Sequence, residues 1–358
     1  MAIIWADSFD HYGTTPNGGR DAMLAGAWAA FSWANGNPPI ISPDQSRTGD
    51  NALKINYNSL ATAGVQCRRV FGSAKLVIGL AFGVYFDNLP DTNNNHGWEI
   101  RNGSNAAIIR CTVESDGSIA VRKGADAGTN IGTSDPIIQS DSWQHIEMRV
   151  TIDDLVGSVE IRVNGITVFS MTNQDFGTVG TTQCVFGMPY LDTGGSLIYY
   201  FDDIVAWDDS GSYNNTFLGQ QRVTTIFPVA DTAAADWVPT GDVDGFDCID
   251  NVPPDGDTTY IVAADVADIS EFELGTLPPE TALIAGVYIP VMARLSDAGM
   301  GNVQTSLVSG VDVSLGPDQT LTTAFTYWGG SHPVDPATSL PWTKVALEAA
   351  LLRVEKTV

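Results

Sequence analysis

Basic residues are scarce in this chain. Lys and Arg number 17 against 42 Asp and Glu, giving a formal net charge of -25 over 358 residues. A surface of that sign repels a phosphate backbone. No run of Lys or Arg supplies the local basic stripe that nucleic acid or anionic lipid would need. Cysteine is scarce as well: Cys67, Cys111, Cys184 and Cys248 stand far apart, with no C-x-x-C and no companion histidine. Zinc spacing and a disulfide framework are thereby excluded, and small buried hydrophobic side chains are expected. Long apolar runs are missing too. Leu76 to Phe86 is cut by Gly79 and Gly83 and falls well short of the ~20 residues of a membrane span. Met1 runs almost directly into Ile3-Ile4-Trp5 with no basic or apolar leader, so no secretory signal is expected and synthesis in a cytosol is.

What is present is turn-rich β structure. Hydrophobic residues make up 44% of the chain, enough to fill a core, and Gly (36) and Pro (18) punctuate runs rich in Val, Ile, Thr and aromatics. The clearest pattern lies between Ser142 and Gly165. Ile146, Met148, Val150 and Ile152 alternate with Glu147, Arg149 and Thr151, and Val159, Ile161 and Val163 repeat the arrangement against Glu160 and Arg162. One face is apolar and one wet, as in an antiparallel ribbon of a sandwich. His145 falls on the wet face, where a surface position is expected. Ser115-Asp116-Gly117 and Asn164-Gly165 are hairpin signals. The Gly-interrupted run from Leu76 suits a central strand bent across the sheet.

Composition shifts after Tyr199 to Trp207 and the polar loop that follows. From Val223 to Ala293 there is no Lys or Arg, while 13 acids fall between Asp231 and Glu280. The expected division is therefore 1–218 and 219–358, with Thr216 to Arg222 as the joint. The second unit again reads as strands, and Pro341 to Arg353 reads as its one terminal helix, with Ser339 near the cap. The fold class is all-β: an antiparallel jelly-roll sandwich followed by a smaller β-rich domain. Asp242-Val-Asp244-Gly245-Phe-Asp247 alternates acids around a glycine but lacks the Glu that closes a calcium loop, so it reads as a solvated acidic loop.

Four segments in order, Ala6-Asp7-Ser8-Phe9-Asp10, Gly49-Asp50-Asn51-Ala52-Leu53-Lys54-Ile55, Trp143-Gln144-His145 with its Gly157 and Asn164-Gly165 turns, and Tyr200-Phe201-Asp202-Asp203-Ile204, resemble the concanavalin A-like, laminin-G-like jelly roll. In the second unit, Gly219 to Pro228, Asp236-Trp237-Val-Pro239, Asp250 to Tyr260 and Pro341-Trp342-Thr343 resemble a C-terminal module of tailed-bacteriophage virion proteins. These resemblances imply a structural protein of a phage particle, tail-associated or fibre-like, assembled in the host cytoplasm, with homo-oligomers, other virion proteins and host surface polysaccharide as partners. A capsid decoration protein without glycan ligand and a polysaccharide depolymerase are the alternatives. The first resemblance also implies a structural calcium ion held near Asp7, Gly49 and Asp203, with Asp202 as alternate. Exposed aromatics beside amides would stack on sugar, and Trp28, Trp33, Asn93, His96 and Trp98 are the candidate positions. No catalysis is expected. The paired carboxylates of glucanase relatives have no counterpart, Glu114-Ser-Asp116 running straight into a turn. His11, His96, His145 and His332 lie at no triad spacing.

Overall fold

The computed structural model describes residues 3–14, 19–25, 28–32, 38–57, 65–91, 96–124, 128–188, 196–211, 213–214 and 216–358. The chain divides into two compact units. The first comprises Met1, Ala6–Asp10 and Thr14–Val223; the second comprises Ala2–Trp5, His11–Gly13 and Thr224–Val358. Both are built almost wholly of antiparallel strands.

The first unit carries, in chain order, β1 (Ile3–Asp7, whose last two residues belong here), the short helix α1 (Arg20–Ala25), β2 (Trp28–Ser32), β3 (Ile40–Ser42), β4 (Ala52–Tyr57) and β5 (Val65–Lys75). Then come β6 (Val77–Phe86), β7 (Gly97–Arg101), β8 (Ala107–Val113), β9 (Ile119–Lys123) and β10 (Thr129–Thr133). The series ends with β11 (Gln144–Thr151), β12 (Gly157–Val163), β13 (Ile166–Gln174), β14 (Thr181–Met188) and β15 (Leu197–Trp207). They form an eight-stranded sheet ordered β13-β12-β11-β6-β15-β4-β3, with β1 also on β15, and a seven-stranded sheet ordered β10-β9-β8-β7-β14-β5-β2. Phe82 on β6 locks the sheets together, its ring lying 5.0 Å from Trp98 and 5.3 Å from Phe186 of the opposite sheet. These edge-to-face contacts each contribute ~0.5–1.5 kcal/mol beyond the area they bury. The β11–β12 ribbon has the register its alternation predicts, with Ile146, Met148 and Val150 opposite Val163, Ile161 and Val159. Asn164 and Gly165 both have positive φ, as a type I′ turn requires. All four cysteines are free and buried, and burial pushes the Cys184 thiol up to about 12.

The Gly-interrupted run forms β6, a central strand between β11 and β15 as expected, and one expectation for this sheet is corrected. Gly79 and Gly83 clear space over the outer face of β6. A Cβ at Gly79 would lie 2.0 Å from the Trp207 ring, and one at Gly83 would lie 2.6 Å from Cδ of Arg47 and 3.2 Å from the Trp143 ring. The face read as wet is closed: His145 and Glu147 are buried. Alternation reports only that a side chain leaves the core. It does not report what the rest of the chain lays over it.

The second unit has a five-stranded sheet, β16 (Pro228–Ala235), β19 (Ile269–Leu274), β24 (Leu351–Lys356), β21 (Asn302–Ser309) and β22 (Asp312–Thr320) in spatial order. Two-stranded pairs are formed by β17 (Val238–Thr240) with β18 (Tyr260–Val262), and by β20 (Val287–Ala293) with β23 (Thr326–His332). Its core falls into two clusters, one around Trp342, Leu307, Leu347 and Ile284, the other around Phe272, Val303, Leu321 and Val354. The predicted terminal helix is shorter than expected: α2 covers only Lys344–Glu348, and Arg353 lies in β24. Thr343, not Ser339, caps it, its side chain accepting from the Ala346 amide at 3.1 Å. Thr343→Ala is expected to lower the stability of this unit by about 1 kcal/mol, measured by denaturant unfolding. An unchanged midpoint would show that packing of Trp342 and Leu347 holds the turn without the cap. In the acidic loop, Asp242 and Asp244 are exposed, while Asp231 accepts from the Gly245 and Phe246 amides at 2.7 and 2.8 Å.

Candidate functional site

The described aromatic positions expected to meet sugar, Trp28, His96 and Trp98, do not form a rim. Trp28 and Trp98 are at most 2% exposed and His96 is fully buried. Trp28 donates from Nε1 to Asp7 at 3.1 Å, and the His96 ring sits edge-on to Tyr57 and Tyr199, at 5.4 and 5.1 Å. Burial lowers the His96 pKa to about 3, so the ring is neutral. Large aromatics at inward positions of paired strands complete the core, and no sugar face reaches them there. Trp33 and Asn93 lie outside the described residues.

The positions read for calcium are engaged by protein groups. Asp7 accepts from the Phe9 amide at 2.8 Å as well as from Trp28. The Gly49 carbonyl accepts from Ser46 Oγ at 3.2 Å, and its positive φ brings the glycine against the Asp10 carboxylate. Asp203 meets Arg47 Nη1 at 2.5 Å and Thr48 Oγ1 at 3.0 Å, while Asp202 accepts from the Arg47 and Thr48 amides at 2.7 and 3.1 Å. The positive charge at Asp203 is therefore the Arg47 guanidinium. Among the described residues no three His, Cys, Asp or Glu side chains gather as a metal site. Burial raises both aspartates. Asp203 also adds its charge to the rise of Asp202, and Arg47 opposes the rise of Asp203.

Over this face runs a strap, residues 217–223. Phe217 lies under the Arg162 guanidinium at 3.7 Å; Gly219 N donates to Glu147 at 2.9 Å, Gln221 N to His145 Nε2 at 3.3 Å and Val223 N to Asp203 at 2.7 Å. Arg47 Nη1 closes the array on the Gln221 carbonyl at 2.6 Å. His145 must be neutral to accept, and burial followed by the nearby Arg47 charge lowers its pKa to about 3. The outer face of the eight-stranded sheet is thus a structural joint.

The other sheet presents a different surface. Trp98 and Phe186 point into the core, and Cys111 Sγ lies 3.6 Å from Met148 Sδ of the opposite sheet. Alternation then turns Glu99, Val185 and Arg110 outward, together with Arg68 beside the inward Cys67. The register aligns them across six strands: Arg68 opposite Val185, Val185 opposite Glu99, Glu99 opposite Arg110, Arg110 opposite Arg122, and Arg122 opposite Asn130 on β10. Arg101 flanks the row, its Nε on Glu99 Oε1, its Nη1 on Asn105 at 3.0 Å and its Nη2 on Gln66 at 3.2 Å. Arg110 reaches the other Glu99 oxygen at 3.6 Å. Four guanidinium groups thus share one face with a single row carboxylate. Glu99 and Arg110 are nearly closed to solvent, whereas Arg68 and Arg122 are half-buried. Beside Arg122 is a hollow of ≈390 Å³, lined by Glu114, Asp116, Ser118, Arg122, Asn130 and Thr133 among others. The face bears hydroxyl-binding amides, guanidinium forks and a recess. Of the residues expected from the sequence to bind sugar, the described ones, Trp28, His96 and Trp98, are buried elsewhere. Alternation within Gly97–Arg101 and Ala107–Val113 carried a signal for the outward Glu99, Arg101 and Arg110, but which strands lie side by side was not legible.

No described protein family matches the chain, and no curated protein does. Among solved structures, the endo-beta-1,4-glucuronan lyase of the fungus Trichoderma reesei is similar at 13% identity and a TM-score of 0.43, over 51% of this chain and 91% of that one. The cellulose induced protein Cip1 is similar at 13% identity and 0.43, over 55% and 94%. The carbohydrate binding module CBM66 of Bacillus subtilis is similar at 10% and 0.32, over 51% and 95%. Likeness this distant carries nothing about ligand or activity, and the two-sheet architecture rests on the strand pairing of this chain itself.

Proposed function

We propose that this chain is a structural protein of a tailed-phage particle, tail-associated or fibre-like, whose first unit holds host surface polysaccharide on the outer face of the seven-stranded sheet. The observation that supports the saccharide reading is the row from Arg68 to Asn130 with its flanking Gln66, Asn105 and Arg101, which places amides and guanidinium forks beside a recess. Such groups bond sugar hydroxyls and carboxylates and fix their orientation. The reading is of retention without turnover: Glu99 is the row's carboxylate and is held by Arg101 and Arg110, whereas glycoside hydrolysis takes a pair. The virion part rests on the resemblance of the second unit. The particle and the host cytoplasm in which it assembles are the proposed locations, with other virion proteins and further copies of the chain as partners.

Immunogold labelling of purified particles is expected to mark the tail. Label confined to the capsid would replace this reading with the decoration role, and absence from particles would end the virion assignment. Immobilised host polysaccharide is expected to retain the intact chain without releasing reducing ends or unsaturated sugars. Product release would restore the depolymerase alternative.

A further inference from the structure

We propose that the ligand of this face is an acidic polysaccharide whose carboxylates are taken by Arg68 and Arg122. The inference rests on the saccharide reading above and adds the chemical class. Its basis is a local excess of guanidinium groups on one surface, two of them with a buried Nε that has no hydrogen-bond partner. Acids exceed bases 42 to 17 in the chain, and several basic side chains elsewhere are matched by carboxylates: Arg47 by Asp203, Lys54 by Asp44, Lys75 by Asp208, Arg294 by Asp257 and Arg353 by Glu271. On the seven-stranded face the ratio is reversed. Arg101 and Arg110 share Glu99. Among the described residues Arg68 is held only by neutral amide oxygens, Asn105 at 2.8 Å and Gln183 at 3.2 Å, and Arg122 has no ion pair. The Nε atoms of Arg68 and Arg122 are both buried without a hydrogen-bond partner.

Among the described residues neither neighbouring acid, Glu114 nor Asp116, makes an ion pair with Arg68 or Arg122, although both line the hollow beside Arg122. Glu114 accepts from Thr112 Oγ1 at 3.0 Å, and Asp116 is occupied by the Ser118 amide and hydroxyl at 2.9 and 2.6 Å. A half-buried guanidinium without a counter-charge is a preformed fork for a carboxylate, which it binds through two parallel N–H donors. The net charge of the chain repels a polyanion from every other direction, so binding of one has to come from this local reversal of sign. Arg68 on β5 and Arg122 on β9 are separated by β14, β7 and β8, four strand spacings or about 19 Å. That span suits a polymer bearing repeated carboxylates and exceeds what a single sugar bridges.

The test uses the full chain against immobilised polygalacturonate, its methyl ester and neutral dextran, by biolayer interferometry at low and high salt. Polygalacturonate is expected to bind, to weaken with salt and to lose its binding on methylation, since the ester removes the charge and leaves the hydroxyls. Arg68→Ala and Arg122→Ala are each expected to weaken binding at least about tenfold. Arg149→Ala, a change of the same charge on β11 of the other sheet, is expected to leave it unchanged, and thermal melts confirm that each variant is folded. Equal binding of the ester and the acid, or binding that survives both substitutions, overturns the acidic assignment while leaving a saccharide site in place. Binding of dextran alone does the same. Retention of none of the three, nor of any polymer on a wider glycan array, removes the saccharide reading itself.

Discussion

Replacing His96 by Phe is expected to stabilise the first unit, by an amount that grows as the pH falls. The imidazole is fully buried between Tyr57 and Tyr199, and neither ring nitrogen has a hydrogen-bond partner. An unpartnered polar group in that position costs about 1–3 kcal/mol, which a phenyl ring in the same edge-on slot does not incur. The pH dependence follows from the lowered pKa. In the folded chain His96 stays neutral down to about 3, whereas unfolded it takes up a proton near 6.5. The histidine therefore contributes no proton-linked penalty above pH 6.5. Below it, the unfolded state is favoured increasingly until the folded pKa is reached. Each pH unit in that window is worth about 1.4 kcal/mol, so the advantage of His96→Phe is expected to be about 2 kcal/mol larger at pH 5 than at pH 7. His145 acts with the same sign, since its folded value is also about 3. The raised Glu147 and Asp202 act oppositely. Their folded forms hold protons that the unfolded carboxylates release, a destabilisation relieved as pH falls toward 4. Comparing variant with parent at each pH cancels those terms and isolates His96. Urea unfolding at pH 5, 6 and 7 provides the measurement, and a stability difference independent of pH would show that folding leaves the His96 pKa unshifted.

Gly79→Ala is expected to destabilise the same unit by about 3 kcal/mol or more. The added methyl would fall 2.0 Å from the Trp207 ring, on a strand paired to β11 and β15 on its two sides, so neither backbone nor indole has room to give. Gly72→Ala supplies the comparison: nothing lies within 4 Å of its Cβ, and a change within about 0.5 kcal/mol is expected. Denaturant midpoints of the two variants decide the matter. Equal midpoints would mean that Trp207 moves aside and that the glycine serves the strand's shape instead. This prediction touches function because Gly79 and Gly83 keep the outer face of β6 open for Trp207, Trp143 and Arg47, and Arg47 in turn holds the strap through Asp203 and Gln221.

The period-two pattern of Ile146 to Ile152 and Val159 to Val163 identified both the ribbon and its inward face, because alternation is a property of one strand and its side chains. The free, buried cysteines and the two hairpin turns were legible for the same reason: each depends on residues adjacent in sequence. The ends of α2 were not, since Leu351 to Lys356 is drawn into a sheet by pairing with β19 and β21, which overrides its local preference.

By itself the sequence determined the all-β class, the acidic character and the apolar faces of the longest strands. The tertiary structure decided which polar faces meet solvent and which residues share one. It turned His145 and Glu147 from surface positions into acceptors for a backbone strap. It drew Trp28, His96 and Trp98 into the core. It also set Arg68, Glu99, Arg110 and Arg122 in one line, although Arg68 and Arg122 are 54 residues apart. The physical reason is that strand order is set by long-range backbone pairing and by the packing of two sheets on Phe82, Trp98 and Phe186. Neither leaves a periodic mark in the segments it joins, so a cluster of cations can form within a chain whose composition argues against one.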